Sequence, residues 1–341
     1  MKILITGGGG FIGTNLVEAF SKKGFDVTIF DNFSRETSVK NRAFIKKNYP
    51  DVKIIEADVR NFDAVKDAVV NKDAIVHAAA QVAVTTSIAD PMLDKATNID
   101  GTLNVLEAAR KYGKAQAILF FSTNKVYGDN VNAVPLQEQK TRYDFAGELK
   151  GKGIPENFSI DAREHTPYGC SKLAADIYMQ DYSQVFKMPT VVNRCSCMYG
   201  KNQYGNEDQG WIAHFVISAL RKKAMSIYGD GKQVRDVLFA SDVAALCIKE
   251  IENITEAKGN VFNIGGGPKN VISVKECLEE IGRNQLLPPI SHHEWRPADQ
   301  KVYYSDIRKA ERILKWAPKV SPKEGIKELY AWAKENAVLQ E

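Results

Sequence analysis

Tyr168 and Lys172, four residues apart in Pro167-Tyr-Gly-Cys-Ser-Lys172, are side chains that can move a proton together. At the start of a helix this spacing puts phenol and ammonium on one face. A cation beside a phenol favours the phenolate and lowers the tyrosine pKa toward usable pH. Such a phenolate can take the proton of an alcohol while hydride leaves the same carbon. Thr123, in Ser122-Thr-Asn-Lys-Val-Tyr-Gly128, can offer its hydroxyl to the same oxygen. Pairs of this spacing also occur by chance on exposed helices, so the chemistry depends on a hydride acceptor elsewhere in the chain.

That acceptor is implied by Gly7, Gly10 and Gly13, with Phe11 and Ile12 between them, set after an apolar strand and before a helix. The glycines allow a tight turn and a close approach of backbone amides to a pyrophosphate, and the helix N-terminus adds partial positive charge. Glycine-rich turns can serve packing alone; the flanking strand and helix point to a nucleotide. Asp31, with Asn32 beside it, ends the second strand, where a carboxylate accepts from both ribose hydroxyls and repels a 2′-phosphate. NAD is therefore expected over NADP. Arg35 tempers that preference, although a solvated arginine is the commoner explanation. Asp58-Val59 stands where an adenine amine could be held or where a strand merely turns. The small residues Ala78, Ala79 and Ala80, followed by Gln81, would let a dinucleotide lie against the backbone. Asn98, opening a long helix, completes the expected cofactor set.

These residues need a frame. Apolar strands are predicted over 2–6, 26–30, 52–56, 74–77, 117–122 and 190–194, with helices over 13–23, 62–70, 98–111 and 171–186. Alternation of this kind predicts an α/β fold: a doubly wound parallel sheet covered on both faces, with ligands at the C-terminal strand ends. Beyond 194 the pattern changes to mixed aromatic, glycine and polar residues, then a helix over 211–222. The expected division is a Rossmann domain over 1–194 with interleaved returns near 237–264, and a smaller substrate-binding lobe over 195–236 and 265–341. The segments 237–251 and 260–264 are expected to rejoin the main sheet.

Composition limits the alternatives. A net charge of +4 on 341 residues, without a dense basic run, gives no case for nucleic acid. No stretch reaches the roughly 18 apolar residues of a membrane span, and a strand from Met1 onward does not read as a signal peptide. A cytoplasmic enzyme is expected. The five cysteines contain no C-x-x-C; Cys195 and Cys197 alternate in one strand-like run and are expected on one face, in the core. His292-His293 lacks further ligands at metal spacing, so no metal is expected.

With these motifs in place, the chain resembles the extended short-chain dehydrogenase/reductase superfamily of nucleotide-sugar epimerases and dehydratases. The likeness runs through TGGGGFIG, FDNFSR, ADVR, HAAAQ, NIDGT, STNKVYG, YGCSK and GKQVRDVLFASDVA. It implies a triad of Thr123, Tyr168 and Lys172, with Tyr168 as base and Lys172 also on the nicotinamide ribose. Dehydratases carry Asp-Glu directly after that threonine; Asn124 and Lys125 stand here, which disfavours elimination. Ser122–Gly128, His165–Lys172, Arg194–Gly200 and the Asp208-Gln-Gly-Trp211 segment resemble the CDP-paratose 2-epimerases, or CDP-tyvelose epimerases. That implies inversion at C2 of a CDP-linked 3,6-dideoxyhexose. Arg235 and Arg296 match nucleotide-sugar positions and suit diphosphate oxygens; surface pairing with Asp236 or Asp299 is the alternative. Asn124, Gln209, Trp211 and Asp299 are candidates for the sugar, ribose or base, Trp211 being also a candidate for the core. A UDP-hexose 4-epimerase and a non-catalytic NAD-sensing protein are the competing readings. The helices over 98–111 and 171–186 suit a homodimer or a higher assembly.

Overall fold

Ile3 and Ile5 face one side of the first strand and Leu4 the other, and all three are fully buried. The same holds along Ala74–His77 and Ala117–Thr123. Strands apolar on both faces must lie inside a sheet covered on each side. The computed structural model describes residues 1–161, 164–296 and 299–336, and in it these strands form a seven-stranded parallel sheet. Its order is Val261–Ile264, Thr190–Cys195, Ala117–Thr123, Ala74–His77, Lys2–Thr6, Asp26–Asp31 and Lys53–Glu56. Thr6 is in register with Phe30 on one side and His77 on the other. The chain order reverses between Lys2–Thr6 and Ala74–His77, leaving a crevice at the C-terminal strand ends.

Phe11–Lys22 and Ala240–Glu252 cover one face; Phe62–Val69, Gly101–Tyr112 and Thr166–Phe186 cover the other. Beside them, Val234–Phe239 centres a second sheet, parallel to Cys197–Tyr199 and Val302–Tyr303 and antiparallel to Val271–Ser273. Met225–Tyr228 pairs with Ile290–His293 at its flank. The helix Trp211–Leu220 packs against Pro322–Glu335.

Several expectations change. Only Val261–Ile264 rejoins the main sheet; the 237–251 segment is the end of a strand in the second sheet followed by a helix. Cys195 ends a main-sheet strand and Cys197 begins one in the other sheet, so they do not share a face. Ser196 makes the crossing, its hydroxyl bound to the buried carboxylate of Asp236. Inside 265–341, Ala310, Leu314 and Trp316 join the core of the main sheet. In the 1–194 stretch, Tyr127, Val131, Phe145 and Ile154 pack with Val234, Val302 and Tyr303. The helix predicted over 98–111 begins as a π turn, Ala96–Asp100, before Gly101–Tyr112. Such widened turns are frequent at functional sites, and the buried Asn98 lies in this one.

Candidate active site

Thr123 is the last residue of its strand and Tyr168 lies in the first turn of Thr166–Phe186, so strand end and helix start meet. Thr123 is near enough to the Tyr168 phenol to favour its ionised form, while the Thr123 hydroxyl itself donates to Asn124 Oδ1 at 3.3 Å. Backbone contacts fix this helix start. The Tyr168 amide donates to Ser87 Oγ at 3.1 Å, and Ser171 Oγ donates to the Tyr168 carbonyl at 3.1 Å. Asn98 Nδ2 donates to Ser171 Oγ at 2.9 Å and to the Gln81 carbonyl at 3.0 Å, while the Gln81 amide donates to Asn98 Oδ1. Gln81 Nε2 is spent on Asp94 and the Ala83 carbonyl. Asn98 and Gln81, expected on the cofactor, therefore have their polar atoms committed to the protein. They position the loop after Ala74–His77 and the helix bearing the tyrosine.

Lys172 is 3% exposed, with Nζ 4.1 Å from the centroid of the Phe120 ring. Burial lowers its pKa to about 8. Tyr168 moves the other way: burial pushes its phenol up to about 12, more than Thr123 and the Arg35 charge bring it down. The expected lowering of the tyrosine by its lysine is thus not what the protein alone produces, because desolvation of a phenolate outweighs the nearby charges. His77, behind them, bonds Thr6 Oγ1 at 2.6 Å and Thr102 Oγ1 at 3.0 Å, and burial holds it neutral, down at about 3.

The glycine loop is a cradle in the steric sense. A Cβ on Gly7, whose φ is +70°, would stand 2.6 Å from the Ala79 nitrogen; one on Gly13 would stand 2.3 Å from the Gly7 carbonyl oxygen. The helix Phe11–Lys22 starts at Gly10 with no side-chain cap and no acid in its first turn. Open amides without a competing carboxylate suit an anion. Asp31 accepts from the Gly9 amide at 3.0 Å and the Phe33 amide at 2.8 Å, each oxygen keeping a lone pair for a ribose hydroxyl. Asp58 is held by Arg60 and by Asn32 Nδ2, which draw its carboxyl down to about 2. Its side chain and that of Asn32 serve the turn. The Val59 carbonyl accepts from Asn104. Arg35 leans across the crevice, donating to Gln209 Oε1 at 3.1 Å.

A cavity of about 530 Å³ opens between the two sheets. Its lining includes Gln209, Trp211, Arg235, Arg296 and Asp299, and it reaches Lys125 and Thr166, each two residues from Thr123 or Tyr168. Arg235 donates to Asp299 Oδ1 at 2.7 Å and to the Gln300 carbonyl at 2.5 Å. Arg296 lies 4.1 Å over the Tyr228 ring, bonds the Glu207 carbonyl and approaches Asp208 at 3.6 Å. Asp299 is thereby the carboxylate that aims Arg235. Asp236, the other partner considered, faces inward to Gly267 and Ser305. Asn124 Nδ2 donates to Gln300 Oε1 at 3.0 Å; both are buried, and Asn124, expected on the sugar, is not part of the cavity lining.

The family described as GDP-mannose 4,6 dehydratase matches residues 4–329. The chain belongs to this family, within the extended short-chain dehydrogenases/reductases. A CDP-paratose 2-epimerase of Salmonella typhi is 40% identical, covering 97% of this chain and 99% of its own. A UDP-glucuronate 4-epimerase of Thermodesulfobacterium geofontis is 29% identical over 98% of this chain and 97% of its own. A UDP-glucuronic acid 4-epimerase of Bacillus cereus, solved with UDP-glucuronic acid and NAD, superimposes with a TM-score of 0.83 at 26% identity. That alignment covers 98% of this chain and 99% of that one.

In this member of the dehydratase family, Lys125 and Cys197 also line the cleft, and neither was singled out as a site residue by the sequence. Alternation of Cys195 and Cys197 in one apolar run predicts core packing, and Cys197 does pack against the core of the second sheet; the change of sheet at Ser196, which brings it to the cleft as well, leaves no signal in composition. Lys125 was visible only as a departure, a cation where the family's elimination chemistry needs a carboxylic acid. Both residues lie near Arg235, so this part of the wall carries an ammonium, a guanidinium and a thiol.

Proposed function

We propose that this protein is an NAD-dependent nucleotide-sugar epimerase that inverts C2 of a CDP-linked 3,6-dideoxyhexose, converting CDP-paratose to CDP-tyvelose. The observation that carries the reading is the meeting of Thr123, at a strand end, with Tyr168, in the first turn of the helix that also carries the buried Lys172, together with the glycine cradle. NAD, when bound, takes up a hydride from a carbinol carbon and gives it back. Gly7, Gly10 and Gly13 would hold its pyrophosphate and Asp31 its adenosine ribose. Tyr168 removes the proton of the sugar hydroxyl and later returns one, while Thr123 keeps that oxygen aligned. Lys172 steadies the phenolate that forms transiently. Burial raises the cost of that phenolate, so the charge must be matched by Lys172 and by groups that complete the site. Between the two transfers the ketosugar turns its opposite face, for which the cleft has room.

Asn124 and Lys125 favour epimerisation over dehydration: the neutral amide, fixed to Gln300, does not give up a proton as a carboxylic acid would, and an ammonium cannot serve as the base of a β-elimination. The 40% likeness to a CDP-paratose 2-epimerase supports the CDP-linked sugar. A UDP-hexose 4-epimerase is the second reading, favoured by the fit to the Bacillus cereus enzyme. NMR of products from a panel of CDP-paratose, UDP-glucose, UDP-galactose and UDP-glucuronate separates them. The C2 epimer from CDP-paratose alone is expected; turnover only of a UDP sugar would replace the proposal. Ile177, Tyr178 and Val185 stand exposed on Thr166–Phe186, and we assign this helix, with Gly101–Tyr112, to a homodimer contact that light scattering would detect.

A further inference from the structure

Lys125 has no role in the chemistry above, yet it is built into the site. Its backbone amide donates to Thr123 Oγ1 at 3.3 Å, which ties its position to the catalytic hydroxyl. Its side chain lines the cleft and lies within the fields of Arg235, Asp299 and Cys197. Asp299 is already engaged by Arg235 and by the Gln300 amide. Lys125 and Arg235 thus share the carboxylate of Asp299 on this part of the wall, while Arg296 is paired with Asp208, and Glu164 and Glu207 also line the cleft; an anionic ligand set between Lys125 and Arg235 would give each cation a partner. The ammonium is partly stripped of water, and burial alone works against it; an anion brought by the substrate would reverse that cost.

Resting on the epimerase reading, we propose that Lys125 is a specificity-determining residue: it binds the sugar-side phosphate of the nucleotide sugar and draws it toward the triad. The consequence is regiochemical. In a sugar nucleotide, C2 is bonded to the anomeric carbon that bears the phosphate, whereas C4 lies across the ring. A phosphate anchor two residues from Thr123 holds the phosphate close to the reacting carbon, which suits C2 and crowds C4. Arg235, near Lys125 and aimed by Asp299, then takes the other side of the diphosphate.

The test is calorimetric titration of the NAD-loaded protein with CDP and with CMP, run in parallel with UDP and UMP, for wild type, K125M and K125R. CMP lacks the phosphate that Lys125 would hold. Removal of a charge-assisted contact is expected to weaken the diphosphate about tenfold or more in K125M. CMP affinity should stay within about twofold, which also reports that the fold is intact. K125R should fall between K125M and wild type for the diphosphate. Equal loss of CMP and CDP in K125M, or loss of neither, would overturn the role. Wild-type protein that binds no nucleoside diphosphate would overturn the epimerase reading and the proposal with it, a distinct result because it appears before any substitution.

Discussion

Glu250 is fully buried in the helix Ala240–Glu252, where one carboxylate oxygen accepts from Asn193 Nδ2 at 3.0 Å. Its other oxygen and Asn193 Oδ1 are both buried without a donor. A proton on Glu250 cures both defects, since the acid then donates to the amide oxygen in a two-bond ring. Burial accordingly raises its pKa from 4.5 to about 8. In the unfolded chain the group ionises first, so folding stability falls as pH climbs from about 4.5 to about 8 and the loss is complete above that. At about 1.36 kcal/mol per pH unit the upper bound is roughly 5 kcal/mol, and relaxation around the charge leaves about 2–3 kcal/mol. Glu250→Gln keeps one donor and one acceptor facing Asn193 and cannot ionise. Urea unfolding at pH 5.5, 7 and 8.5 should show the variant near wild type at the lowest pH and more stable by about 2–3 kcal/mol at the highest. A wild-type–variant difference that is the same at all three values would refute the argument.

Three further outcomes follow from the site. Tyr168→Phe should retain NAD on purification, since the cradle is elsewhere, while turnover drops about 10²–10⁴-fold; wild-type turnover would remove Tyr168 from the chemistry. Arg235→Met should raise KM for the nucleotide sugar by about tenfold or more with NAD affinity unchanged, because its partners lie in the cleft and not at the glycine loop; equal effects on both ligands would contradict this. Asn98→Ala removes donors to Ser171 and Gln81 and should cost about 2–3 kcal/mol in urea unfolding, together with a loss of kcat larger than any change in KM.

What the sequence disclosed followed from local rules. The glycine loop between strand and helix and the apolar strands each depend on neighbours within a few residues, and each appears in the fold as expected. What stayed hidden depends on contacts between distant segments. Gln81 and Asn98 look like cofactor ligands because they stand near the crevice, but only the folded chain shows their hydrogen bonds closing on each other. Cys197 and the 237–251 segment were misplaced because a strand that switches sheets has the same apolar pattern as one that does not. The pKa of Tyr168 was misjudged because spacing reports the nearby charge and not the burial. Lys125 drew notice as an absent acid; its place between Thr123 and Arg235 could be seen only with the cleft assembled.

The central claim is that hydrogen leaves a sugar carbon and comes back to it without meeting water, with Tyr168 handling the hydroxyl proton. Turnover of CDP-paratose in D₂O, followed by NMR of the sugar, tests it most directly. The account predicts the C2 epimer with hydrogen, not deuterium, at C2. Deuterium at that carbon would mean exchange with solvent by proton abstraction and would contradict the mechanism; no epimer at all would contradict the assignment.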